Sequence, residues 1–137
     1  MQHVDTLLGP IYKLDGDIAF LRIKDNISID IRVVTDVIDG LLSCFPGQPF
    51  YIIVDARKIL TDATLEAMKY AAFHEELNQF CITQIILTDN LAMQLIVNFY
   101  ASTLKKNKNI KLVKNFSEAE SWLSSIGGDV VLPKSLI

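Results

Sequence analysis

Asp55, Thr88 and Asp89 follow two strand-like segments, the continuous apolar run Phe50-Tyr51-Ile52-Ile53-Val54 and Ile82 to Leu87. Runs of this length read as strands buried on both faces, as in a parallel sheet. Residues just past the carboxyl ends of such strands line the edge where open α/β sheets hold ligands. With Lys114 after a later strand, Asp55 and Thr88 echo the aspartate, threonine and lysine of a phospho-receiver. That chemistry also needs an acidic pair after the first strand to hold magnesium, and the first strands here read as a hairpin without one. Asp55 is therefore expected to bond its own turn or pair with Arg57, and Asp89 or Asn90 to cap a helix.

Other chemistries find fewer parts. His74-Glu75-Glu76 sets one histidine beside carboxylates, but a helical zinc site needs two histidines four apart, and the other histidine is His3. His74 is read as part of a solvated helix face. Cys44 and Cys81 each sit in an apolar stretch and read as reduced, buried thiols. The six glycines form no phosphate-cradling loop. The sequence thus supports no catalytic residue, no metal ligand and no cofactor.

The elements that position these residues follow from periodicity. Residues 9–14 and 17–24 read as strands joined by a two-residue turn at Asp15-Gly16, with Ile18, Phe20 and Ile23 inward and an irregularity near Arg22. The first ten residues read as a loose lead-in. From Ser28 or Asp30 the period becomes helical, with Val34, Val37, Ile38, Leu41, Leu42 and Phe45 on one face, and Pro46-Gly47 ends that helix. A second helix is predicted from Asp62 to Gln79, facing Leu65, Met68, Ala72 and Leu77 inward. A third starts at Asp89 or Asn90, with Ala92, Leu95, Ile96, Phe99 and Tyr100 on its apolar face. Asn107 to Asn109 ends it, and Ile110 to Val113 is a strand. A last helix starts at Ser117, packs Trp122 and Leu123 inward and stops at Gly127-Gly128. The expected class is α/β: a mixed sheet of about five strands, an N-terminal hairpin followed by parallel strands, with four helices mostly on one face. It is read as a single domain over 1–137, with a core at about 10–125 and an apolar tail at 126–137.

Composition bounds the function. Half of the 137 residues are apolar and 21% are charged, which suits a globular domain. Mean hydropathy is +0.31, yet no run approaches the about 20 apolar residues of a spanning helix. Met1 to Asp5 lacks the basic start and apolar stretch of a signal peptide, so the reading is a cytoplasmic protein without a transmembrane segment. The net charge of −3 argues against nucleic acid as a partner. Lys105, Lys106, Lys108, Lys111 and Lys114 form a basic corner. They suit a helix C-terminus or, alternatively, an acidic partner or a phosphate group.

Three segments carry a family likeness: Phe50 to Arg57, Leu95 to Tyr100 and Phe116 to Leu123. In these and in element order, the chain resembles STAS-like domains, the fold of anti-sigma-factor antagonists. It is most similar to small bacterial members grouped with SEC14-like lipid-binding folds. In regulatory STAS members a hydroxyl residue before the helix after the central strand is phosphorylated. Over Thr61-Asp62-Ala63-Thr64, Asp62 matches the acid of that pattern and Thr64 its second hydroxyl. Ala63 replaces the first hydroxyl, and the glycine is missing.

The resemblance implies a non-enzymatic regulatory or partner-binding module, with Asp55, Arg57, Thr61, Asp62, Thr64, Asp89 and Asn90 at the contact edge. The alternative is a carrier of a small apolar or lipid-like ligand. A carrier needs an apolar cavity, whereas a partner module has a filled core. A homodimer is also expected, formed through Val130, Val131, Leu132, Leu136 and Ile137 of the tail unless that tail docks on its own chain.

Overall fold

A computed structural model describes residues 3–57, 62–104, 110–126 and 132. The chain opens with three antiparallel strands, β1 (His3–Asp5), β2 (Pro10–Leu14) and β3 (Ile18–Arg22). The stretch read as a loose lead-in therefore contributes an edge strand, pairing Val4 with Ile11. The turn after β2 spans Asp15, Gly16 and Asp17, one residue more than expected. Positive φ falls on Gly16 and Asp17, and aspartate is among the few residues that tolerate it.

After β3 come a two-residue strand, β4 (Ser28–Ile29), and helix α1 (Ile31–Cys44). Asp30 caps α1 by accepting from the Val33 N–H at 3.0 Å. Strand β5 (Phe50–Asp55) returns beside β3 in parallel. A second short strand, β6 (Asp62–Ala63), pairs with β4 in parallel and forms a small separate sheet. The predicted helix from Asp62 to Gln79 is two helices, α2 (Leu65–Ala72) and α3 (Glu75–Phe80). His74 makes the break: its Nδ1 accepts from the Leu77 N–H at 3.1 Å and caps α3, so it is a structural cap and not part of a solvated helix face. The Asn78 amide donates to the freed Ala72 carbonyl at 2.8 Å.

Strand β7 (Cys81–Leu87) lies parallel to β5. Helix α4 (Leu91–Phe99) follows and passes into a π-helical turn, Tyr100–Leu104. Strand β8 (Ile110–Val113) completes the sheet beside β7, and α5 (Phe116–Ser125) ends the described helices. The main sheet has six strands in the order β1-β2-β3-β5-β7-β8, antiparallel at first and then parallel. The expected mixed α/β class holds; among the described residues the main sheet has one more strand than predicted, the β4–β6 pair adds a small second sheet, and there is one more helix.

Both faces of the sheet are covered. Ala19, Leu21, Ile52 and Ile86 face α1, α2 and α4, while Ile18, Phe20, Ile53, Ile85 and Leu87 face α5. Side chains alternate across a strand, so Phe20 and Ile23 point to opposite, equally buried faces. No irregularity at Arg22 is needed. Leu132 is 2% exposed among the residues under α5, and its N–H donates to Glu120 Oε1 at 3.3 Å. This tail residue is thus seated on its own chain. Val130, Val131, Leu136 and Ile137, like Thr61 and Lys105, Lys106 and Lys108, lie outside the described residues.

Candidate functional site

At the carboxyl edge of the sheet, β5 delivers Asp55 into a cluster of arginines. The Asp55 carboxylate accepts from Arg57 Nε at 3.0 Å and Nη2 at 3.2 Å, from the Arg57 backbone N–H at 3.2 Å and from Arg22 Nε at 3.3 Å. Asp55 thus both bonds its own turn and pairs with Arg57. Burial pushes this carboxyl up. The Arg57 hydrogen bonds and the charges of Arg57 and Arg22 outweigh burial and hold it below the ordinary carboxylate value. The Arg57 guanidinium lies 4.7 Å from the Phe116 ring and also feels the charge of Asp89. Each group here serves another, which describes a lock between β3, β5 and α5.

The remaining residues expected at this edge do local work. Thr64 Oγ1 accepts from the Ala67 N–H at 3.1 Å and caps α2. Asn90, not Asp89, caps α4, accepting from Ala92 N at 2.8 Å and Met93 N at 3.3 Å. Asp62 Oδ1 accepts from Ser28 Oγ at 2.6 Å, joining β6 to β4. Asp62 and Asn90 do meet, lining an open depression of about 410 Å³ with Asn26 and Ser28. Asp55 and Arg57 do not line that depression. Among the described residues, no three His, Cys, Asp or Glu side chains converge as a metal site would require.

The opposite, helix-covered face holds a cavity of about 170 Å³. Its floor is Leu21, Ile52, Val54, Gln84 and Ile86 of the sheet. Its walls come from Val34, Val37, Ile38 and Leu41 of α1, Met93 of α4 and Leu77 of α3. The space arises where α2 crosses, because that segment turns Ala63, Ala67 and Ala71 toward the sheet, four residues apart.

Among the described residues, two polar side chains reach this space, Gln84 and Tyr100. Gln84 lies in β7 between Ile52 of β5 and Ile110 of β8, and its amide hydrogen-bonds the Tyr100 hydroxyl. Burial drives the Tyr100 phenol well above its ordinary pKa, which the Gln84 bond only partly offsets, so Tyr100 stays neutral. Tyr100 opens the π-helical turn, a rare element often found at functional sites. Sequence reasoning missed the cavity. Its signals were the three spaced alanines and the glutamine of β7 that faces them.

A sequence model of a family described as a domain of unknown function, DUF7793, matches residues 12–127. The chain belongs to the DUF7793 family. No curated protein and no solved structure matches the chain. The DUF7793 match runs from β2 to just past α5, and so contains both the Asp55 cluster and every described lining residue of the cavity except Leu8.

The α4 surface departs from expectation. Met93 and Val97 are buried, whereas Leu91, Leu95 and Phe99 are 70%, 62% and 40% exposed. Leu65 of α2, also expected inward, is exposed as well. Both helices carry apolar residues around more than one face, and periodicity alone picked the wrong one for α4. No helix among the described residues is long and apolar enough to cross a membrane.

Proposed function

We infer that this chain binds a small apolar molecule of single-ring size in the cavity between the sheet and α1, α2 and α4, without transforming it. The observation that carries this reading is the partly open, carbon-lined space of about 170 Å³ between the sheet and the helices. Protein interiors pack like organic crystals, and an apolar cavity of about 150 Å³ takes up benzene while staying free of water. Of the two readings drawn from the STAS-like and SEC14-like resemblance, the carrier is the one that calls for such a space. A ligand of one ring fits; a long acyl chain does not.

Native mass spectrometry of freshly purified protein tests retention of a ligand, and thermal unfolding with toluene tests the empty form. A ligand at 100 times its Kd stabilises by about 2.7 kcal/mol. A chain that carries no ligand and is not stabilised by toluene at any soluble concentration would refute the reading.

A second reading, a module that pairs with another copy of itself, is supported by Leu91, Leu95 and Phe99 of α4. These stand four residues apart in one exposed stripe without a charge to select a foreign partner. Two-fold pairing would set the stripe against its own counterpart. Light scattering of the natural chain and of Leu95→Lys decides it: a dimer that becomes a monomer supports pairing through α4.

A further inference from the structure

The sheet ends at β8, and among the described residues no strand lies beyond it. The Thr88 N–H donates to the Val113 carbonyl at 3.1 Å, so Val113 and, two residues earlier, Lys111 spend their backbone groups on β7. Ile110 and Leu112 therefore turn their N–H and C=O groups outward. The next outward N–H, that of Lys114, is taken by the Glu118 carboxylate at 2.8 Å. An edge of this kind is a template for a further strand. Beside it runs an open groove of about 500 Å³ between β8 and α5, walled by Leu112, Ser117, Ser121 and Trp122. Lys111 also lines it, with Nζ 5.1 Å from the centre of the Trp122 ring.

Independently of the cavity, we propose that this groove takes an extended acidic segment of a partner protein, added to the main sheet beside β8. Ile110 and Leu112 supply the main-chain hydrogen bonds, which give such strand addition its affinity. Side chains of an added strand alternate between the two faces, so every second one lies on the α5 side, over Lys111 and Trp122. Charge chooses the occupant. From Leu91 to Ser117 the sequence carries five lysines and no aspartate or glutamate. Two of them, Lys111 and Lys114, stand exposed on β8 and just past it. Glu118 is the one acid of the groove, and it is engaged by the Lys114 N–H. Lysine on an edge strand opposes pairing with an identical edge, because a second copy brings lysines of its own. The same lysines favour a strand with carboxylates at alternate positions, since opposite charges across a strand pair attract.

The test uses the full chain and two short fluorescein-labelled peptides, one alternating valine with glutamate and one alternating valine with lysine. By fluorescence anisotropy the glutamate peptide is expected to bind about tenfold more tightly or better, with the gap closing at high salt. Trp122 is the chain's single tryptophan and lines the groove, so its emission should shift when the unlabelled glutamate peptide binds. Methylating alternate backbone nitrogens of that peptide removes its pairing donors, leaves its charge and should abolish binding. Lys111→Glu combined with Lys114→Glu should remove the preference for glutamate. Leu112→Pro deletes one outward N–H and no bond to β7, and should weaken binding about tenfold. If circular dichroism shows that this variant does not fold, the charge-reversed variant decides. If the methylated peptide binds as well as its parent, the lysines attract any anion and strand addition is wrong. If both peptides bind alike, or neither binds, the acidic partner is wrong and the edge lysines serve to keep other strands away. If light scattering finds a dimer that Leu112→Pro turns into a monomer, the edge belongs to a second copy and the proposal falls.

Discussion

Asp55 ties two strands and a helix together through one carboxylate. Two guanidinium groups donate to it, from β3 and from just beyond β5, and one of these also covers the Phe116 ring of α5. Asp55→Asn keeps the shape and removes the charge, so Arg22 and Arg57 lose their ionic acceptor; a loss of about 1–3 kcal/mol of stability is expected. The pH dependence follows from the lowered folded-state value. Stability from this group is fully present above the unfolded aspartate value of about 3.9. It is lost as pH falls through the lower folded value. Urea titrations across that acid window should show a steeper decline for the natural chain than for Asp55→Asn. Gly9 makes a second demand at this scale: a Cβ there would lie 1.9 Å from the Arg22 carbonyl oxygen. Gly9→Ala should therefore cost on the order of 2 kcal/mol or more, read from chemical unfolding. The Asp55–Arg57 pairing was legible in the sequence because the two residues are adjacent past one strand. Arg22 as its other partner was not, since only the β3–β5 register brings Arg22 opposite Asp55.

Helix α2 decides whether the core has a hole. Its inward residues Ala67 and Ala71 stop short of the sheet, and Met68 lies at the rim. Ala67→Leu would place about three more carbons in the space. It should raise stability by roughly 1–2 kcal/mol if it takes a relaxed rotamer, and it should abolish toluene binding. Thermal unfolding with and without toluene reads both effects in one experiment. The exposed stripe of α4 behaves differently: Leu95→Lys touches no packed core and should change stability by no more than about 0.5 kcal/mol. Periodicity located these helices well but misjudged their details. It could not see that His74 has a cap's side chain, nor that Asp62 and Ala63 would pair with Ser28 and Ile29 before α2 begins. Both depend on partners distant in sequence or on one rotamer.

At the scale of the whole molecule, the sheet divides the protein into two unequal interiors. Under α5, Phe20 stacks on Phe116 at 5.8 Å, and Leu123 and Leu132 are fully covered. Under α1, α2 and α4, a space of about 170 Å³ remains. The alternation of strands and helices after the N-terminal hairpin and the parallel character of β5, β7 and β8 were readable, because strand-length runs and helical periods alternate along the chain. The space was not, since it arises where four helices meet the sheet and no single segment encodes it. This asymmetry has a mechanical consequence. Under hydrostatic pressure a folded protein yields in proportion to the internal volume it can surrender, and 170 Å³ per molecule is on the order of 100 mL/mol. The side beneath α2 should therefore give way first in a high-pressure cell. Compression should loosen the protection of its amides before those under α5, and a bound guest should make the two halves equally stiff.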